Sequence, residues 1–139
     1  MLILDTDHVS TLGSSAEAGL ELLDRISASG QDAATTIITV EEQLRGWLAE
    51  IHRLADPHRQ IVVYERLQHR IDFFAAWTVL PWAANAADLF VRQRRQGVRI
   101  GSMDLKIACI ALAHDATVLT RNTSDFAQVP SLRVENWLE

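Results

Sequence analysis

The chain is poor in the residues that build disulfides and soft-metal sites. Its single cysteine, Cys109, cannot form an internal disulfide, and its place in an apolar helical run marks it as core rather than nucleophile. The histidines His8, His52, His58, His69 and His114 have no paired ligand spacing and are expected at the surface or the core edge. Lysine occurs once, at Lys106. No apolar stretch approaches the roughly 20 residues needed to span a bilayer. The start does not look like a secretory leader either, because no basic segment precedes the apolar run and Asp5 interrupts it. A cytoplasmic protein with no membrane partner is expected. Repeats, linkers and low-complexity tracts are missing too, which predicts a single domain over residues 1–139.

Basic residues number 13 against 18 acidic ones, for a net charge of −5, which by itself argues against a nucleic-acid partner. The distribution says more than the sum. Arg92, Arg94, Arg95 and Arg99 form one local basic run, and Arg59, Arg66 and Arg70 another. Singly, each reads as part of a solvated helix face. As groups they can hold phosphates.

What the chain does have is an apolar opening, Met1 to Leu4, that ends abruptly in Asp5 and Asp7. This predicts a buried strand delivering carboxylates to a sheet edge. Leu20, Leu23 and Ile26 then predict a helix over 16–28, capped by Ser29 and Gly30. The β-branched run 34–39 predicts a second strand. The apolar periodicities Val40, Leu44, Trp47, Leu48, Ile51, Leu54 and Ile61, Tyr64, Leu67, Ile71, Phe74 predict a helical hairpin over 41–75. A short strand at 77–81, a helix at 83–95, an interior helix from Met103 to His114, a strand at 116–120 and an edge strand at 132–135 complete the chain. Strands alternating with helices predict a three-layer α/β/α sandwich on a mainly parallel sheet of four to five strands.

In such a sheet the strand-to-helix junctions share one edge. Asp5, Glu42, Asp104 and the pair Asn122/Asp125 are all expected at such junctions. Each has an ordinary explanation as a cap: Thr39-x-x-Glu42 has capping-box spacing, and Ser102 can cap the helix that carries Asp104. Capping does not require all of them to gather on one edge. Carboxylates without His or Cys partners suit a hard cation, Mg²⁺ or Mn²⁺, and so phosphoryl or phosphodiester chemistry.

Four segments in order carry a resemblance: Leu4 to His8, Thr39 to Gly46, Gly101 to Ala108, and Leu119 to Phe126. They resemble the PIN-domain nucleases, and the length and motif order resemble VapC-type toxins of bacterial toxin–antitoxin pairs. The resemblance covers nearly the whole chain. It implies a metal-dependent endoribonuclease in which Asp5, Glu42 and Asp104 hold Mg²⁺ or Mn²⁺. Asn122 stands where many relatives carry a fourth aspartate, Ser102 and Arg121 are implied as substrate contacts, and Asp7 as a supporting residue. RNA as substrate, a VapB-like antitoxin and a homodimer are implied as partners, with the 41–75 hairpin gripping the antitoxin.

Two other readings compete. Asn122 leaves room for a PIN-like binding module without activity. Leu4-Asp5-Thr6-Asp7 also resembles the opening motif of haloacid-dehalogenase-type phosphatases, although Val9 stands where that family carries threonine.

Overall fold

A computed structural model describes residues 1–14 and 16–139. Strand β1 (Leu2–Leu4) lies at the centre of a five-stranded sheet, flanked by β2 (Ala33–Thr36) and β4 (Thr117–Leu119). Strands β3 (Val79–Leu80) and β5 (Arg133–Glu135) form the edges, and every pairing is parallel.

The three apolar side chains of β1 explain its position. Leu2 and Leu4 face a cluster with Val9, Leu22, Ile26 and Phe74, while Ile3 faces Ala34, Leu105, Ile107 and Val118 on the other side. A strand covered on both faces needs a continuous apolar run rather than an alternating one. Helices α1 (Thr6–Leu12), α2 (Glu17–Ser29) and the end of α4 (Pro57–Ala75) cover the first face. Helices α5 (Ala84–Arg95) and α6 (Ser102–Ala113) cover the second. Helix α3 (Ile37–Arg53) reaches both, through Ile38 and Val40. The expected α/β/α sandwich is the fold observed, with five strands.

The chain leaves β1 for β2 on one side and returns later to β4 on the other. The carboxyl ends of β1 and β4 therefore flank the point where strand order reverses, the usual crevice of such sheets. A short helix, α7 (Thr123–Phe126), follows β4 there.

Several expectations are corrected in detail. Helix α1 begins directly after β1, ahead of the first predicted helix at 16–28. In α2 the core face is Leu22 and Ile26, while Leu20 and Leu23 are 60% and 47% exposed. Its end is as expected, with Gly30 in the left-handed conformation at φ 66°. The strand expected at 34–39 stops at Thr36, because the Thr36 hydroxyl accepts from the Thr39 N–H and starts α3 there. Thr39 is therefore inside the first turn and forms no capping box with Glu42. Nor does Asp104 follow a strand: α6 follows α5 through a loop, with Gly101 at the cap and Ser102 as the first helical residue. The hairpin is present, but Ile61, Tyr64 and Ile71 are each half exposed, so that stripe of α4 is surface.

Candidate active site

Asp5 is 6% exposed and occupies the N-cap of α1. The Thr6 N–H donates to its Oδ1 (2.7 Å) and the buried Thr120 hydroxyl to its Oδ2 (2.8 Å). Register explains the second contact: Leu4 is level with Leu119, so the residues that follow each strand meet. Burial, opposed by these hydrogen bonds and reinforced by Asp7 and Asp104, pushes the Asp5 carboxyl up to about 6.

The other acids attach to Asp5 through neutral groups. The Thr6 hydroxyl donates to Glu42 Oε2 (3.0 Å), which ties α1 to α3. Thr120 Oγ1 accepts from the Asn122 N–H (3.0 Å). The Asn122 amide donates to Asp104 Oδ2 (3.1 Å) and to Asp125 Oδ2 (3.0 Å). One hydrogen-bonded chain thus runs Glu42–Thr6–Asp5–Thr120–Asn122–Asp104. Burial raises the pKa of Glu42, with Asp104 adding to it, and burial raises that of Asp104, with Asp125 and Asp7 adding. Among the described residues none of Asp5, Glu42 and Asp104 forms an ion pair with a basic side chain.

Asp7 behaves differently. Burial pushes its carboxyl up, but hydrogen bonds from His8 and from the Arg121 N–H outweigh that and hold it below the usual range. His8 is fully buried, not at the surface or the core edge. Its Nε2 accepts from the Trp137 N–H (3.2 Å), which puts the Nδ1 proton toward Asp7 Oδ1 (2.6 Å). This pins the start of α1 to the C-terminal segment.

These features frame the comparisons with known proteins. No family model matches the chain. It is, however, 34% identical over 131 residues to the VapC ribonuclease Y4jK of Sinorhizobium fredii, covering 91% of this chain and 90% of that one. The chain belongs to the VapC ribonuclease family. It is also 29% identical over 123 residues to the ribonuclease VapC2 of Haemophilus influenzae, covering 86% of each. In fold it matches the toxin–antitoxin complex VapBC2 of Rickettsia felis bound to a promoter DNA fragment, with a TM-score of 0.74 at 20% identity over 98% of both chains.

In this VapC-family chain the sheet edge collects Asp5, Glu42, Asp104 and Asn122, though not at the separation of a preformed metal cage. No group of three or more His, Cys, Asp or Glu side chains lies close enough to enclose an ion among the described residues. Ser102 is exposed at the start of α6, where its hydroxyl accepts from Arg94 Nη2 (3.3 Å). Arg121 is exposed and uses its backbone N–H on Asp7. Lys106 Nζ sits 5.8 Å from the centre of the Trp82 ring, so its ammonium serves an aromatic face, which counts against the phosphatase alternative.

Sequence reasoning missed Thr6, Thr120 and His8. The first two are the hydroxyls that hold the acids in place. Their signal was positional: each stands within two residues of a predicted strand end, and Thr6 also stands between two acids.

Proposed function

We propose that this chain, as one PIN-like domain over residues 1–139, is a toxin that cuts RNA internally with Mg²⁺ or Mn²⁺ held by Asp5, Glu42 and Asp104. The hydrogen-bonded chain joining these three carboxylates at the strand-order reversal carries the reading. The donor set fits the ion. All the side-chain ligands are oxygens, and all three acids have raised pKa values. Among the described residues none of the three is in an ion pair, the nearest compensation being the charge of Arg45 acting on Glu42. Glu42 and Asp104, both half-buried, and the anchored Asp5 are the residues that would hold the ion.

A bound divalent ion supplies Lewis acidity, neutralising phosphate charge and making water a better nucleophile. The protein's own contribution is placement. Thr6 and Thr120 fix both Asp5 oxygens, so that carboxylate stays anchored. Glu42, raised in pKa and held by one hydrogen bond, is suited to accept a proton from the attacking water. Asn122 supplies N–H donors to Asp104 and Asp125 where a fourth aspartate would supply charge, which favours one ion rather than two. Ser102 and Arg121, exposed on the rim, contact the substrate.

A VapB-like antitoxin is the expected partner, docking on the apolar residues left exposed on the α3/α4 hairpin, Leu48, Ile61, Tyr64 and Ile71. A homodimer and a cytoplasmic location belong to the same reading. No helix of the described residues is long and apolar enough to cross a membrane. Incubating the purified protein with total RNA and Mn²⁺, followed by mapping of the new ends, tests the activity. Discrete internal cuts by the wild type, absent with Asp5→Ala, are expected. RNA left intact by both proteins would favour the binding-module alternative.

A further inference from the structure

Beside the acidic edge runs a cleft between α1, α3 and α4. One lobe, of about 440 Å³, extends from Thr6 and Gln43 to Arg66 and Arg70. A second, of about 680 Å³, continues past Arg70 to Gly13 and Phe73. Trp47, Arg66 and Arg70 line both lobes.

Arg70 is the unusual group. Its Nη1 is buried with no hydrogen-bond partner. Its guanidinium is wedged between Gly13, where a Cβ would lie 2.5 Å from Nη1, and the Phe73 ring, whose centre is 5.3 Å from Cζ. A charged donor held out of water without an acceptor is costly. Neither Arg66 nor Arg70 forms an ion pair among the described residues, whereas Arg45, Arg53, Arg59 and Arg133 each meet an acid. Gln43 is an open group of the opposite kind. Its Nε2 donates to Ser10 Oγ (2.9 Å), and its buried Oε1, an acceptor, has no partner, so it calls for a donor such as a hydroxyl and not for an anion. Arg94, by contrast, is spent on the backbone carbonyls of Val98 and Ile100. Among the described residues Arg92 and Arg95 are unpaired as well, but of the unpaired arginines it is Arg66 and Arg70 that line this cleft.

Nη1 itself is covered by Gly13 and Phe73, so it is the remaining guanidinium charge of Arg70 and that of Arg66 which call for an anion. Of the acids that also line the cleft, Glu50 is paired with Arg53 and Asp72 lies in the second lobe. Guanidinium forks match phosphate oxygens, and a partly buried indole offers a face to a flat base. The cleft also opens onto Thr6, whose hydroxyl holds Glu42. A carboxylate of a peptide would satisfy the arginines alone. A single RNA strand would satisfy the arginines, the indole and the continuity with the acidic edge. We propose that Arg70, with Arg66 and Trp47, forms a subsite for a backbone phosphate of single-stranded RNA flanking the phosphate that is cut. This rests on the ribonuclease reading above.

The test is fluorescence anisotropy with a labelled, mixed-sequence single-stranded RNA in Ca²⁺, repeated over a salt series. Arg70→Gln is expected to weaken binding about tenfold. The slope of log affinity against log salt is expected to fall by about 0.7, the value for one lost contact to a single strand. Arg66→Gln, at an exposed position, moves both readouts in the same direction by less, and it decides the matter if Arg70→Gln melts early. Unchanged affinity and slope in a folded variant overturn the subsite. So does a variant that keeps RNA binding and loses only the cognate antitoxin, which would assign the cleft to the protein partner. The two readings fail separately: a wild type that never cleaves RNA in Mn²⁺ removes both, whereas cleavage by the wild type with RNA binding unaltered in the variants removes the subsite alone.

Discussion

The acidic edge and the arginine cleft lie side by side, meeting at Thr6, and treat charge in opposite ways. At the edge, carboxylates are held by neutral hydroxyl and amide groups, so their hydrogen-bonding capacity is used while none of them is in an ion pair among the described residues. In the cleft, a guanidinium keeps an open N–H among an aromatic ring and a glycine. A protein selected only for stability could have joined the two sets into ion pairs. Keeping them apart leaves one surface demanding a cation and its neighbour demanding an anion. The proposed metal-dependent cleavage of RNA would take both from outside, a cation and a polyanion.

Removing the edge is the most severe way to break that contrast. Asp5→Ala or Asp104→Ala is expected to lower RNA cleavage about a thousandfold, equivalent to roughly 4 kcal/mol of barrier. Without divalent ions Asp104→Ala should melt no lower than wild type, since it removes a destabilised carboxylate. Asp5→Ala also loses the α1 cap and the acceptor of the Thr120 hydroxyl, so its relief of burial is offset. A large loss of stability in EDTA would instead make these acids structural. Thr120→Val keeps the side-chain shape and removes the hydroxyl between Asp5 and Asn122. It is expected to cost about 1–3 kcal/mol in urea denaturation, because buried partners are left unsatisfied.

A subtler distinction lies in pH. A carboxyl whose pKa is higher in the folded state contributes stability that is fully present below its unfolded value and lost as pH rises through the folded one. For Asp5 that window runs from 3.8 to about 6. Glu42 and Asp104 act in the same direction, and Asp7 in the opposite one. Stability in EDTA should therefore fall across this window, by about 3 kcal/mol for Asp5 alone. Asp5→Asn should flatten the fall, and saturating Mn²⁺ should reverse it, as chemical denaturation at each pH would read out. The smallest effect is expected at Cys109, which is remote from any such contrast. Burial in α6 pushes its thiol up to about 11, so thiol reagents should label it only as fast as the protein unfolds.

How much of this was legible depended on where the information resides. Apolar runs covered on both faces, such as Leu2–Leu4 and Ile107–Ala111, announce a central strand and an interior helix, and both are found. Local competition was harder to read. Ile37, Ile38 and Thr39 favour a strand by propensity, yet the Thr36 hydroxyl starts a helix one turn earlier. Asp104 reaches the edge on a helix that follows another helix, so its strand-junction reasoning failed although its position did not. The contacts from Thr120 to Asp5 and from Trp137 to His8 span more than a hundred residues, and no local pattern encodes them. The open guanidinium of Arg70 was equally invisible, because a missing acceptor exists only once the fold has surrounded the donor.

The most direct test is to titrate the metal-free protein with Mn²⁺ and follow binding by electron paramagnetic resonance, with Asp5→Ala measured in parallel. One ion bound per chain, lost in the variant, is the predicted result. A wild type that binds none, or a variant that binds as well as wild type, would contradict the assignment of these acids to a metal-dependent nuclease.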